Sequence, residues 1–185
     1  MPAFDLDADV THPADFALVR GGGIALYWSP AALRDAEHEL GELGYDHTRV
    51  DAANWDESTM HEAVAAALDF PGYYGRNLDA LADCLRDVAH GDYGWSPERT
   101  GLAVTFDNFG SFASEQRDLA RDLVDLLAGA SRYGLAFGHR LVWLLHVGDP
   151  RFALGTIGGF NVPWNPREGA PPSPPRGWPP PPSKR

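Results

Sequence analysis

The stretch Phe70-Pro71-Gly72-Tyr73-Tyr74-Gly75-Arg76-Asn77-Leu78-Asp79-Ala80-Leu81-Ala82-Asp83-Cys84-Leu85 decides how this chain is read. Pro71, Gly72 and Gly75 punctuate the backbone, so Tyr73 and Tyr74 belong to a tight loop. From Asn77 the pattern turns helical. Leu78, Leu81, Leu85 and Val88 fall on one apolar stripe, and Cys84 borders it. Asn77 suits the N-cap, and Asp79 suits the first turn, where a carboxylate complements the helix dipole.

Asp79, Asp83 and Asp87 follow at four-residue steps and share one helix face. Like charges at that spacing cost a helix roughly 0.2–0.5 kcal/mol per pair. Arg76 and Arg86 relieve part of this. A solvated polar face is the plain explanation, and it accounts for Asp79. It does not account for Asp83 in mid-helix beside two loop tyrosines, a residue type enriched at interfaces. Aromatic groups next to fixed carboxylates suit a surface that docks on a basic pocket. The tyrosines also have a simpler use, covering the core between two helices, and for Tyr74 both uses stay open.

The run Tyr-Tyr-Gly-x-Asn-Leu-Asp-Ala-Leu-x-Asp-Cys-Leu resembles the signature of the barstar family of intracellular ribonuclease inhibitors. The similarity is greatest to members with Gly-Arg-Asn at this point, here Gly75-Arg76-Asn77. It spans about residues 45–147 and is sharpest over 70–87. The resemblance implies an α/β fold of three layers, a small parallel sheet covered by helices. It also implies a partner, a secreted guanyl-specific microbial ribonuclease of the barnase type, whose active site the inhibitor plugs. Asp83 matches the carboxylate that sits where the RNA phosphate would bind, and Asp79 matches a second acidic contact. Tyr73 matches the tyrosine that packs on the enzyme's catalytic groups. Gly75 and Asn77 match loop contacts, and Tyr74 joins the same partner-binding set. The type member differs at three places: it has an aromatic residue at the position of Ala82, and acids at the positions of Gly129 and Arg76.

The chain has 185 residues, enough for one domain with a core. Its formal net charge is −11, with 15 basic against 26 acidic residues. That argues against sequence-independent binding to nucleic acid, which needs a basic footprint, and suits a ligand for basic sites. A single cysteine excludes an internal disulfide framework and favours a reducing cytoplasm. No apolar run approaches ~20 residues, so no membrane span is expected. Met1 to Val10 lacks the basic start and apolar core of a signal peptide.

Residues 1–20 read as a flexible N-terminal arm, 21–148 as the barstar-like domain and 149–185 as a proline-rich disordered tail. Ile24–Trp28 is a candidate strand. Ser29-Pro30 opens a helix that Gly44 ends. Together they form an added strand-helix unit ahead of the family core. Tyr45–Ala52 reads as a strand and 57–68 as a helix capped by Asp56 or Ser58. Leu102–Phe106 is a buried strand. A single helix follows, capped by Ser111 or Ser114, with the stripe Phe112, Leu119, Leu123, Leu126, Leu127 and Ala130. Arg140–Val147 is the last strand. Continuous apolar strands alternating with helices indicate a parallel sheet. Ten of the 16 prolines lie in 163–185, and Pro171-Pro172-Ser173-Pro174-Pro175-Arg176 has the form of a polyproline ligand.

Other chemistry is sparse. His61-Glu62 lacks the second histidine of a zinc-protease motif, because position 65 is alanine, and both read as surface residues. The remaining histidines show no metal-ligand spacing. Cys84, beside three aspartates, reads as a packed thiol rather than a nucleophile. No catalytic residues, metal or cofactor are expected. The sequence thus points to a cytoplasmic inhibitor, monomeric when free, that binds neither nucleic acid nor membrane. Two alternatives stand: an immunity protein or antitoxin against a different toxin, and an interaction module recruited by its proline-rich tail.

Overall fold

The apolar runs of the sequence become the strands of one sheet. The computed structural model describes residues 15–168. A short helix α1 (Phe16–Arg20) leads to β1 (Ile24–Tyr27), α2 (Pro30–Glu42) and β2 (Asp46–Asp51). Helices α3 (Glu57–Ala67) and α4 (Leu78–His90) follow, then β3 (Leu102–Asp107), α5 (Phe109–Glu115), α6 (Arg117–Leu135) and β4 (Leu141–His146). The chain continues into a small hairpin, β5 (Thr156–Ile157) with β6 (Phe160–Asn161), and a 3-10 turn at Pro166–Glu168.

The four long strands pair in the order β1-β4-β3-β2, all parallel. Alternate side chains point to opposite faces. Ile24, Leu26, Val104, Phe106, Trp143 and Leu145 face a core shared with α3, α4, α5 and α6. Ala25, Tyr27, Ala103, Val142 and Leu144 face a second core made with Leu33, Ala36 and Leu40 of α2. Both faces of β3 and β4 are therefore buried, which is why those segments are apolar throughout. The result is the expected three-layer α/β architecture. The added strand β1 lies beside β4 at one edge, and α2 covers the sheet face that α3–α6 leave open.

Three expectations need correction. The N-terminal arm ends earlier than residue 20. Leu18 of α1 is buried in the α2-side core, and the buried Asp15 carboxylate accepts from Tyr45 Oη at 2.6 Å and Arg140 Nη1 at 2.8 Å. Both partners are remote in sequence, so composition gave no sign of the docking. Residues 1–14 lie outside the described residues.

The second correction concerns the tail. Residues 150–168 pack on the domain, with Leu154, Ile157 and Val162 buried. Arg121 donates to the carbonyls of Leu154 and Thr156, and Arg117 donates to that of Ala153. Pro163 to Asn165 then run parallel to β1: Leu26 N donates to Pro163 O and Asn165 N to Leu26 O. Pro163 serves there through its carbonyl, the one backbone group a proline retains for hydrogen bonding. Eight of the ten prolines in 163–185 lie beyond residue 168, outside the described residues.

The third is the segment after β3, expected as one helix with a serine cap. It is two helices broken at Gln116, and the first begins after Asn108 in the left-handed region at φ 53°. Ser114 Oγ donates to Gly110 O within that helix instead of capping an end.

The strap reaches α2. The buried Glu168 carboxylate accepts from Trp28 N and Ser29 N at 3.1 Å, and Ser29 Oγ accepts from Ala32 N at 3.3 Å. Glu168→Ala leaves two backbone donors without their acceptor, so unfolding stability should fall by about 1–3 kcal/mol in a urea titration. An unchanged midpoint would show that the strap carries no stability.

Candidate partner-binding face

Helix α4 divides cleanly into two faces. Leu81, Cys84, Leu85, Val88 and Ala89 are buried against the sheet and α6, while Asp79, Asp83 and Arg86 are exposed. Both ends are fixed. Asn77 Oδ1 accepts from Ala80 N at 2.9 Å, and Gly91 closes the helix in the left-handed region at φ 94°. The inner stripe thus holds the outer carboxylates in place.

Asp83 stands 75% exposed with one ion-pair partner, Arg86, at 3.0 Å. A solvent-exposed pair of this kind holds its members loosely, by about 0–1 kcal/mol. Asp79 makes no side-chain hydrogen bond or ion pair among the described residues. Asp87 does not continue the open ridge. It is half-buried and accepts from Tyr93 Oη at 3.3 Å, a contact with the 91–101 loop that helix periodicity could not reveal.

The loop before α4 turns at Pro71, where Tyr74 N donates to Pro71 O at 2.9 Å. Its two tyrosines part company. Tyr73 is 82% exposed. Tyr74 turns inward, edge-on to Phe70 at 5.0 Å between ring centroids, and its hydroxyl shares a 2.5 Å hydrogen bond with His61 Nδ1. It therefore covers the core, the simpler of its two uses, and helps the face by anchoring its neighbour.

Helix α3 clamps the loop at two adjacent residues. His61 holds Tyr74, and Glu62 pairs with Arg76 Nη1 at 2.7 Å. Arg76 itself sits at φ 49°, a conformation that non-glycine residues adopt at a cost. At Gly75 an added Cβ would meet Asn77 Nδ2 at 3.3 Å, so a side chain there would crowd the cap. Asn77 Nδ2 reaches back to Gly75 O at 3.4 Å. Asn77 is thus committed to shaping the loop, and its amide is only partly available to a partner.

His61 was expected on the surface and is fully buried. Its place on the apolar side of α3, next to Met60 and Val64, could have been read from helix spacing, but a histidine there is commonly assigned to solvent. Its Nε2 has no hydrogen-bond partner among the described residues. Burial pulls its pKa below the ordinary value, against the opposing pull of the Glu57 carboxylate, while burial pushes Tyr74 up to about 12.

Between α4 and α6 runs a surface groove of about 340 Å³. Ala82 and Gly129 line it together. Among the described residues no group of three or more His, Cys, Asp or Glu side chains could hold a metal ion. Among the same residues no helix is long and apolar enough to cross a membrane.

The depressed pKa of His61 predicts a pH dependence. The unfolded ring takes a proton near pH 6.5 and the folded ring does not, so the contribution of His61 is complete above about 6.5. It is lost as pH falls from there towards the lowered folded value. His47, also lowered by burial, adds a loss in the same direction. The thermal midpoint of the wild type should therefore drop more between pH 7.5 and 5.5 than that of His61→Gln. Equal drops would remove His61 as the source.

Comparison with known proteins shows the family. The model of the family described as Barstar (barnase inhibitor) matches residues 47–146, more than half of the chain. A Bacillus subtilis (strain 168) protein named "Putative ribonuclease inhibitor YrdF" is 65% identical over 26 residues, which is 14% of this chain and 29% of that relative. The match thus spans less than a third of the relative's length. The family match takes in β2 to β4, the clamped loop and the whole of α4, and the chain belongs to the barstar family.

Proposed function

We propose that the chain inhibits a guanyl-specific microbial ribonuclease by covering its active site. The observation that carries this reading is the pairing of two exposed carboxylates, Asp79 and Asp83, with an outward tyrosine on a loop clamped from behind. A ribonuclease site collects cations around the phosphate it cleaves. Asp83 would stand in for that phosphate, and Asp79 would add field. Tyr73 would pack on the catalytic groups, and Gly75 and Asn77 would meet the partner through the loop. The chain performs no catalysis in this reading. The net charge of −11 favours rapid encounter with a basic enzyme. The single cysteine, buried and free, suits action in a reducing compartment such as the cytoplasm.

A second reading keeps the face and changes the target to a delivered toxin of another specificity. The groove at Ala82 and Gly129 favours it, because a partner filling that groove would differ in shape from the type member's enzyme. The third, recruitment through a proline-rich ligand, concerns residues outside the described part of the chain.

Titration of the purified chain into a panel of guanyl-specific microbial ribonucleases tests the proposal. Inhibition should end sharply at one equivalent. Asp83→Ala should weaken it about 30-fold or more, the ~2 kcal/mol of an interface hot spot. Arg86→Ala should leave it unchanged or tighter, since it frees Asp83 from its ion pair with Arg86. Comparable losses in the two variants, or no inhibition across the panel, would contradict the reading.

A further inference from the structure

Among the described residues, the large hydrophobic side chains left exposed are Tyr73 and four others, and the four lie on two short segments far from the inhibitory loop in sequence. Phe16 opens α1, while Tyr133, Leu135 and Phe137 lie at the end of α6 and just beyond it. The ion pair between Asp15 and Arg140 Nη1, at 2.8 Å, ties the two segments together. Phe137 also stands edge-on to Tyr133 at 5.0 Å and to His90 at 5.1 Å, which extends the aromatic surface to the end of α4. Single exposed apolar residues need no explanation, but a cluster of them marks a surface that something covers.

The same corner is the basic part of an acidic chain. No acidic residue occurs from Leu126 to Gly148, a stretch that contains Arg132, His139 and Arg140. Arg20 ends α1 and is exposed, without an ion pair among the described residues. The chain enters this corner from residues that lie outside the described part. There Phe4, Leu6, Ala8 and Val10 alternate with Asp5, Asp7 and Asp9, and residues 1–14 contain no lysine or arginine. That period of two sorts apolar and acidic side chains onto opposite sides of an extended chain. Val10 is five residues from Asp15, so it lies within about 18 Å of the ion pair with Arg140, and Phe4 within about 40 Å.

We infer that this corner is a docking surface for the chain's own segment Phe4–Val10. The apolar set covers Phe16, Leu135 and Phe137, and the aspartates answer Arg20 and Arg140. Charge complementarity fixes the pairing of segment and surface, because the one is wholly acidic and the other free of acids. A second copy of the chain would also offer carboxylates, but the arm is tethered at Asp15 and acts at an effective concentration of about millimolar. With this corner covered, the main apolar surface left open is the loop at Tyr73. The inference concerns the free chain and stands apart from the inhibitor reading.

Hydrogen exchange of the full chain at low salt, read by mass spectrometry at two protein concentrations, tests this. The wild type is compared with Phe137→Ser and with the triple variant Asp5→Asn, Asp7→Asn, Asp9→Asn. Protection factors of the amides in 4–10 and 135–140 should be about tenfold or more higher in the wild type than in either variant. The amides of β3 and β4 should exchange alike in all three proteins. If Phe137→Ser also loosens β4, the triple variant decides alone, since it leaves every described residue in place. Amides in 4–10 that exchange as fast as those of an unstructured peptide, or equally fast in wild type and triple variant, would overturn the inference. Protection at 135–140 that grows with protein concentration would assign the corner to a second copy and overturn it as well.

Discussion

The loop that carries Tyr73 is held from behind by the hydrogen bond between buried His61 and Tyr74, and the proposed binding face depends on it. A 10-residue connection between two helices would otherwise sample many conformations. Here the cost is met during folding. Tyr74 is locked between Phe70 and His61, Arg76 is tied to Glu62, and Asn77 starts the next helix. The loop is thus preformed, and under the proposed function that preorganisation would raise affinity for a partner without adding contacts. The same device makes the face sensitive to protonation, because a charged His61 could not stay buried without a counter-ion.

The elements outside the family match support the sheet and leave the α4 face uncovered. β1 extends the sheet beside β4, and α2 closes the side opposite α4. The strap from Pro163 to Glu168 then covers the outer edge of β1 and caps α2. An uncovered edge strand invites pairing with other chains, so this covering also guards against aggregation. The hairpin before the strap lies on α6 and limits the movement of Asp125.

Much of this was legible from local pattern. The apolar runs gave the strands because β3 and β4 are buried on both faces. The Asn77 cap and the Asp79 first turn lie within a few residues of the groups they serve. Most of the misses depend on partners outside their own helix or strand. Asp15 is fixed by Tyr45 and Arg140, Glu168 by the start of α2, and Asp87 by Tyr93. His61 meets Tyr74 13 residues later across a turn that no periodicity describes. The groove at Ala82 and Gly129 likewise joins two helices separated by a strand and a short helix, so the sequence could show two small residues and not the space between them.

The central claim is that Asp83 occupies the place of the substrate phosphate, and competition tests it most directly. Guanosine 3′-monophosphate would be titrated against the complex of this chain with a guanyl-specific ribonuclease. The apparent dissociation constant of the complex should rise in proportion to nucleotide concentration, as it must when two ligands share one site. Under Asp83→Ala the complex should be weaker and less sensitive to the nucleotide. A ternary complex, with affinity for the chain independent of the nucleotide, would mean that the chain binds elsewhere on the enzyme and that the phosphate-mimic account is wrong.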